Sequence, residues 1–235
     1  MKYKNNIKNL IELRKDIQNL NHKEAKGISS ILKWRKKLIK RNKIKTKLIN
    51  VNECKDWYLD KNKNLYHKSG QFFKVQGVKI FGASSREVSS WTQPILTQKH
   101  GGILAFICRV TKKNGVQFLL EGRTEPGDNS DVKIASCFQA TQSNMNRAHG
   151  GKRPKFYDIV VNLKGAKLVY CTAHNEEGAR FWKKSNLNVI VRLKNPNDRR
   201  ISGLNYKWAS LTQIKKIALK NNIVNPFVKT ILFMI

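Results

Sequence analysis

The chain has 235 residues, 40% of them hydrophobic and 9% aromatic, which is enough to build one sizeable domain and excludes disorder over the whole length. A formal net charge of +32 raises the question of nucleic-acid binding. The lysines are scattered among Asn and Ile, as in products of A- and T-rich genomes, and are not interleaved with stacking aromatic residues, so we expect no nucleic-acid partner.

Two helices are predicted at the N-terminus. Apolar residues spaced three and four apart predict one helix from Ile7 to Leu20 and a second through Ile28 to Ile39. The second carries most of the basic run "KWRKKLIKRNKIKTK". Such a basic amphipathic helix can lie on a membrane surface, but packing against the main domain or a second subunit is more common. We expect residues 1–50 to form a basic helical segment and residues 51–235 to form a single domain.

The pattern changes to strands after Lys47. Strands are predicted at "GILAFICRV", "VQFLLEG", "VKIASCFQA", "FYDIVVNL", "AKLVYCTA" and "NVIVRL", with a hairpin turn at Asn114-Gly115. Helices are predicted over Glu176–Lys184 and at "SLTQIKKIALKN", where Ser210 would be the N-cap and Gln213 would complete a capping box. The expected fold is α+β, with one mixed β-sheet flanked by helices and an N-terminal helical extension.

The four cysteines give no sign of a metal site or a disulfide framework. Cys54, Cys108, Cys137 and Cys171 contain no CxxC pair, and three of them lie in apolar runs, which favours reduced core residues. The N-terminus lacks the apolar region of a signal peptide, and no stretch is long enough to span a membrane. We expect a cytoplasmic protein with no membrane partner.

Two polar motifs precede the first long strand. "LYHKSGQFFKVQGVKI" places a turn at Ser69-Gly70 before a strand, and by itself it predicts only a hairpin with a surface histidine. "SSREVSSWTQP" contains Arg86, whose planar fork suits a diphosphate, and Trp91, whose ring offers a face for a base or sugar, followed by Gln93. The alternative for this motif is a structural ion pair beside a core tryptophan.

Two further motifs follow predicted strands. "EGRTEPGDN" fixes Glu125 before the Pro126-Gly127 turn, where a carboxylate can act as a general base, although turns attract acids for structural reasons too. "QATQSNMNRAHGGKRP" is a run of hydrogen-bonding side chains directly after an apolar strand, which suits recognition of hydroxyl and carbonyl groups. Its candidate site residues are Gln139, Thr141, Asn144 and His149.

The last motif, "HNEEGARFWKKSN", is ambiguous by itself. Glu176 and Glu177 would lie in the first turn of the predicted helix, where acids complement the helix dipole. Arg180 would lie on the same side of that helix. This structural explanation is sufficient for the motif in isolation.

Together these motifs resemble the NDP-hexose 2,3-dehydratase family of deoxysugar biosynthesis. The resemblance is carried by "HKSGQFFKVQGV", "REVSSWTQP", "EPG", "QATQSN", "NEEGARF" with "NLNVIV", and by "WASLTQI" and "NNIVN", and it runs from about Lys33 to the end. Asn175 departs from the serine that is more usual in the family. The best-known members carry two such units, so the single unit here implies a homodimer, with the basic N-terminal helices at its interface.

The resemblance also implies a fold and a reaction. The family's fold is Nudix-like, but the Nudix box is absent apart from "NEEG", so we expect no metal-dependent pyrophosphatase activity and no metal. The implied substrate is an NDP-4-keto-6-deoxyhexose, and its 2,3-dehydration needs no cofactor. The implied proton-transfer residues are Glu125, His149 and Glu176. The implied binding residues are Gln139, Thr141, Asn144 and Arg180 for the sugar and enolate, and Arg86, Trp91 and Gln93 for the nucleotide diphosphate.

Two other function classes remain open at this point. The charge of the chain keeps a basic nucleic-acid-binding protein as the main alternative. A non-catalytic subunit that only binds a nucleotide sugar is the other.

Overall fold

The computed structural model describes residues 3–5, 7–128, 131–148 and 150–235, without the side chain at position 231. These residues form two β-sheets and six α-helices. In chain order the elements are α1 (Ile7–Asn19), α2 (Ser29–Arg41), β1 (Trp57–Leu59), β2 (Leu65–His67), β3 (Lys74–Ile80), β4 (Trp91–Thr97), β5 (Gly102–Thr111), β6 (Gly115–Arg123), β7 (Lys133–Ser136), β8 (Phe138–Thr141), α3 (Gln142–Met145), α4 (Tyr157–Val160), β9 (Ala166–Asn175), β10 (Phe181–Trp182), β11 (Ser185–Leu193), β12 (Tyr206–Ser210), α5 (Leu211–Ala218) and α6 (Pro226–Leu232).

The larger sheet is built around β5. Its strand order is β12-β6-β5-β11-β9, with β11 parallel to β5 and the other neighbours antiparallel. From Gly102 to Cys108, β5 is buried at every residue, which explains its unbroken apolar run. The predicted turn at Asn114-Gly115 joins β5 to β6, and Gly115 has a φ of +63° there.

β5 and β6 diverge towards the start of β5, and two short strands lie between them there. β7 pairs antiparallel with β6 and β8 pairs antiparallel with β5, so the chain must reverse between them. It does so at Cys137, whose Sγ accepts a hydrogen bond from Ile107 N at 3.3 Å. The single strand predicted for "VKIASCFQA" is therefore wrong, because its two halves pair with different partners.

Each face of the larger sheet has its own hydrophobic core. On the first face, Phe106, Phe118 and Ile190 pack with α1, α2, α5 and α6. On the second face, Ile107, Val189 and Val191 pack with α4 and the end of α3. Side chains alternate between the two cores along these strands, except at an irregularity of β9 where Val169 and Tyr170 both pack on the first face.

The N-terminal helices belong to the first-face core. Leu13 of α1 and Ile31 of α2 are fully buried there, each contributing about 1.5–3 kcal/mol by removal from water. Both helices were predicted, and they pack on the main domain. The domain boundary at residue 50 stays a prediction.

The smaller sheet has the order β1-β2-β3-β4-β10 and is also mixed, because β10 runs parallel to β4. The turn predicted at Ser69-Gly70 lies between β2 and β3, with Gly70 at a φ of +64°. The α+β class is thus confirmed, although two mixed sheets replace the single one expected.

Two further element predictions were wrong. Glu176–Lys184 is an extended segment with a turn, because Gly178 is a poor helix former and β10 pairs with β4. "FYDIVVNL" contains α4, since Ile159, Val160 and Val161 are all buried in succession and no alternating strand could bury all three.

Two expectations about the C-terminal helix and the cysteines are confirmed. Ser210 Oγ accepts from Gln213 N and Gln213 Oε1 accepts from Ser210 N, both at 3.1 Å, which completes the capping box of α5. Cys108, Cys137 and Cys171 are free and buried. Over the described ranges, none of the helices is long and apolar enough to cross a bilayer.

Candidate functional site

A cavity of about 470 Å³ lies beside the start of β5, within the size range of small-molecule sites. Three chain segments line it: the turn before β3, the segment between β4 and β5, and α3. The lining residues are Gly70, Gln71, Phe72, Gln98, Lys99, His100, Gln142, Ser143 and Asn146. The motifs "HKSGQFF" and "QATQSN", 70 residues apart in the sequence, therefore contribute to one cavity.

The "QATQSN" motif forms the end of β8 and the start of α3. Thr141 is the N-cap of α3: its Oγ1 accepts from Asn144 N at 3.4 Å and lies 2.8 Å from Ser143 Oγ. Gln139 Nε2 donates to Ser136 Oγ at 3.3 Å. The predicted residues thus shape the backbone here, while the cavity wall comes from the intervening Gln142 and Ser143 and from Asn146, together with His100, which sequence reasoning missed.

Glu176 lies in a largely buried polar network at the end of β9. Asn186 Nδ2 donates to Glu176 Oε1 at 2.5 Å, and Lys184 Nζ lies 3.5 Å from the same oxygen. The exposed fractions of the Glu176 and Lys184 side chains are 12% and 8%. We call Glu176, Lys184 and Asn186 the Glu176 network.

This network is tied to the first residue of β5. Asn186 Oδ1 accepts a hydrogen bond from Gly102 N at 2.7 Å. The approach requires glycines, because a Cβ on Gly101 would lie 1.7 Å from Ser185 O and one on Gly102 would lie 2.7 Å from Ala140 O. The segment 98–102 therefore lines the cavity at one end and joins the Glu176 network at the other. The network does not itself appear in the cavity wall.

A second concave region lies along β4. Arg86, Trp91 and Gln93 line a cavity of about 320 Å³ together with Ala179 and Trp182, and we call it the tryptophan groove. Trp91 Nε1 donates to Gln93 Oε1 at 2.9 Å, and Gln93 Nε2 donates to Ala179 O at 2.8 Å. Gln93 thus ties the "WTQP" motif to the "EEGARF" motif. Trp182, 47% exposed, was not singled out from the sequence.

Arg180 is exposed, and its main-chain N–H and C=O groups form hydrogen bonds. Its carbonyl accepts from Leu96 N at 2.8 Å, and its N–H donates to Glu177 O at 2.9 Å. Because the segment is not helical, Arg180 does not face Glu176. The cation beside Glu176 is Lys184.

Glu125 lies in a different cluster, on the second face at the end of β6. Arg123 donates from Nε to Glu125 Oε1, and its Nη1 lies 3.6 Å from Glu121 Oε2. Tyr206 OH donates to Glu121 Oε1 at 3.4 Å. Burial raises the pKa of the Glu121 carboxyl above its ordinary value. We call Glu121, Arg123, Glu125 and Tyr206 the Glu125 cluster.

The structure does not bring Glu125 and Glu176 together. Four strands, β7, β8, β5 and β11, lie between β6 and β9 at this end of the sheet, and neighbouring strands are about 4.8 Å apart. The two carboxylates also belong to opposite faces. His149 lies outside the described residues. In the part of the chain that the structure describes, no group of three or more His, Cys, Asp or Glu side chains is arranged to hold a metal ion.

Comparison with known families decides which family this site belongs to. The model of the family described as NDP-hexose 2,3-dehydratase matches residues 28–235. The chain belongs to this family. The matched range begins close to Lys33, where the motif resemblance starts.

Relatives of this dehydratase-family chain carry a more specific name. The chain is 29% identical to a dTDP-4-dehydro-6-deoxy-alpha-D-glucopyranose 2,3-dehydratase of Saccharopolyspora spinosa, over 85% of this chain and 40% of that protein. Proteins of the same name from Streptomyces violaceoruber and Amycolatopsis orientalis are 26% and 28% identical, over 87% and 75% of this chain and 45% and 37% of theirs. The chain spans less than half the length of these relatives.

Among solved structures, the family member matches a Caenorhabditis elegans Ap4A hydrolase in a binary complex. The sequence identity is 17% and the TM-score is 0.33, over 57% of this chain and 97% of the other. At this TM-score the Nudix-like part of the expected fold stays a prediction.

Within this dehydratase-family chain, several of the family motifs meet at two places. "HKSGQFF" and "QATQSN" meet at the cavity, which the segment 98–102 joins to the Glu176 network of "NEEGARF" and "NLNVIV". "REVSSWTQP" meets "EEGARF" at the tryptophan groove. "EPG", which carries Glu125, and the C-terminal motifs "WASLTQI" and "NNIVN" lie outside both places.

Proposed function

We propose that this chain eliminates water from C2 and C3 of an NDP-4-keto-6-deoxyhexose. The observation that supports this most is the convergence of two separate family motifs on one cavity, which the segment 98–102 joins to a carboxylate network. The names of the relatives point to the same substrate class. Because those proteins are more than twice as long, the activity of this chain by itself is the point to be tested.

The 4-keto group dictates the chemistry. It acidifies the C3 proton, so a base removes that proton and gives an enolate, which hydrogen-bond donors stabilise. The C2 hydroxyl is then β to the enolate and leaves with a proton as water. The product is an enol that becomes the 3,4-diketo-2,6-dideoxy sugar. The step is redox-neutral.

In this proposal the cavity holds the pyranose and the tryptophan groove holds the nucleoside diphosphate. Ile95 lines the groove and Gln98 lines the cavity, so three residues of extended chain, about 10 Å, separate the two. That is the scale of a diphosphate that joins a nucleoside to a hexose. Arg86 suits the diphosphate because its guanidinium can form two parallel hydrogen bonds. Trp91 and Trp182 offer ring faces to the nucleoside.

Glu176 is the proposed base, because Asn186 joins its carboxylate to the segment 98–102, which lines the cavity. The amide groups of Gln142 and Asn146 and the Lys99 and His100 side chains are the donors in the cavity wall that can face the enolate and the departing hydroxyl. Glu125 and His149 stay predictions for proton transfer. Gln139, Thr141, Asn144 and Arg180 stay predictions for substrate binding.

The test is incubation of the purified chain with a panel of NDP-4-keto-6-deoxyhexoses, followed by mass spectrometry. The expected result is loss of one water from at least one sugar. Binding of a nucleotide sugar without loss of water would instead support a non-catalytic binding subunit. Absence of both would refute the proposal, and RNA binding that persists at physiological salt would favour the nucleic-acid alternative.

We further propose that the chain forms a homodimer, because a second copy would supply the paired arrangement of the longer relatives. The apolar stripes of α1 and α2 are used inside the chain, so an interface at these helices would use outward side chains such as Ile7 and Ile11, which are 57% and 45% exposed. Sedimentation equilibrium should give twice the chain mass, and a monomer would contradict this. The free buried thiols support a reducing, cytoplasmic setting for this proposed deoxysugar enzyme.

A further inference from the structure

We propose that Lys184 and Asn186 are positioning residues that hold the Glu176 carboxylate for proton transfer. The inference rests on the proposed function, because it assumes that Glu176 takes the C3 proton. It assigns roles to two residues that the sequence patterns did not single out.

Asn186 fixes Glu176 relative to β5. The Asn186 side chain is 6% exposed and uses both ends of its amide: Nδ2 donates to Glu176 Oε1 and Oδ1 accepts from Gly102 N. Rotation of this amide would break both hydrogen bonds at once. Asn186 therefore sets the distance between the Glu176 carboxylate and the segment that lines the cavity.

Lys184 holds the same carboxylate oxygen from the other side. The main chain already joins the two residues, since Glu176 N donates to Lys184 O at 2.9 Å. Lys184 Nζ lies 4.4 Å from the centroid of the Phe181 ring, so this ring and Glu176 together fix the ammonium group. The carboxylate oxygen Oε1 thus has two side-chain partners, the Asn186 amide and the Lys184 ammonium group.

Stability alone is a poor reason for this arrangement. Burying two charges costs several kcal/mol per ion, and apolar residues of similar volume often stabilise a protein as well or better. Lys167 offers a contrast on the same strand pair: it bonds Glu12 at 2.7 Å, but the two side chains are 35% and 47% exposed. The Glu176–Lys184 pair is joined through Asn186 to the segment 98–102, which lines the cavity, and the exposed pair lies at the far end of β9. This placement indicates that the Glu176 network serves the cavity.

The test compares steady-state kinetics of Lys184→Met, Lys184→Arg, Asn186→Ala and Asn186→Asp with the wild-type chain. We expect Lys184→Met and both Asn186 variants to lower kcat about 10- to 100-fold with KM nearly unchanged, because a misplaced base slows chemistry more than binding. Lys184→Arg should recover much of kcat, since it keeps a cation beside Glu176. The control Lys167→Met, which breaks the exposed ion pair, should keep wild-type kinetics.

Thermal melting checks that each variant folds. Asn186→Asp keeps an acceptor for Gly102 N and loses the donor to Glu176, so it replaces Asn186→Ala if the latter does not fold. Unchanged kcat in Lys184→Met and Asn186→Asp would overturn the inference and leave the proposed function standing. Equal losses in Lys184→Arg and Lys184→Met would also overturn the role of the cation. A wild-type chain that dehydrates none of the sugars would overturn both proposals.

Discussion

The Glu176 network and the Glu125 cluster lie at the same end of the larger sheet and differ in what surrounds them. Both place a glutamate beside a basic side chain. Glu176 is 12% exposed and joined through Asn186 to a segment that lines a cavity, whereas the Glu125 side chain is 41% exposed and follows a strand into a turn. A carboxylate beside a basic residue is therefore common to both regions, and burial of the carboxylate and its connection to a cavity distinguish them.

The buried acid of the second region is Glu121. It lies on β6 opposite Tyr206 of β12, and burial raises the pKa of its carboxyl. Arg123 lies between Glu121 and Glu125 and bonds both. In the Glu125 cluster, one arginine contacts two carboxylates. In the Glu176 network, two donors, Lys184 and Asn186, contact one carboxylate.

The largest expected difference between the regions is in turnover. Glu176→Gln removes the proposed base and should lower kcat about 100- to 10,000-fold, the usual contribution of general acid-base catalysis. Glu125→Gln removes one partner of Arg123 and should have a much smaller effect. The measurement is water loss per enzyme per minute by mass spectrometry. Equal losses of kcat in the two variants would indicate that Glu125 also takes part in catalysis. A smaller loss in Glu176→Gln than in Glu125→Gln would indicate that Glu125, and not Glu176, is the base.

The next largest expected difference is in stability, and it is tested by replacing one glycine in each region with alanine. Gly101→Ala places a Cβ 1.7 Å from Ser185 O beside the Glu176 network, so the backbone must shift, at a cost of about 1–3 kcal/mol or more. Gly127→Ala, two residues after Glu125, meets no heavy atom within 4 Å and should change the unfolding free energy by about 0.5 kcal/mol or less. Thermal melts of both variants check this. A Gly101→Ala protein as stable as the wild type would show that β5 and β11 are not this close.

The smallest expected effect is a pH-dependent difference in stability at Glu121. Since the folded-state pKa is raised, the contribution of this carboxyl is fully present below its unfolded-state pKa and is lost as the pH rises through the folded-state value. Glu121→Gln should therefore melt at a higher temperature than the wild type at pH 7. The gap should close as the pH falls towards the ordinary glutamate pKa of about 4.3. A gap that stays constant from pH 7 to pH 4 would contradict the assigned cause.

Local signals in the sequence predicted much of the fold. The hairpin at Asn114-Gly115 and the capping box of Ser210 and Gln213 each depend on residues within a few positions of one another. The helices α1 and α2 follow from their apolar spacing alone. Such features can be predicted because neighbouring residues supply the interactions that form them.

The wrong or missed features depend on distant partners. The break at Cys137 exists because β5 and β6 diverge, and the segment 176–184 is extended because β4 offers backbone partners to β10. Asn186 accepts a hydrogen bond from Gly102 N, which is 84 positions away in the sequence. The one local sign of the network was the pair of asparagines at alternate positions, Asn186 and Asn188, within an apolar strand. Polar residues on one face of such a strand indicate a hydrogen-bond partner, but the sequence does not show which residue it is.

The most direct test of the central claim is a crystal structure of the Glu176→Gln variant with an NDP-4-keto-6-deoxyhexose bound. We expect the pyranose to lie in the cavity beside α3, with C3 directed towards residue 176 and the diphosphate towards the tryptophan groove. A pyranose bound on the second face against Glu125 and Tyr206 would contradict it.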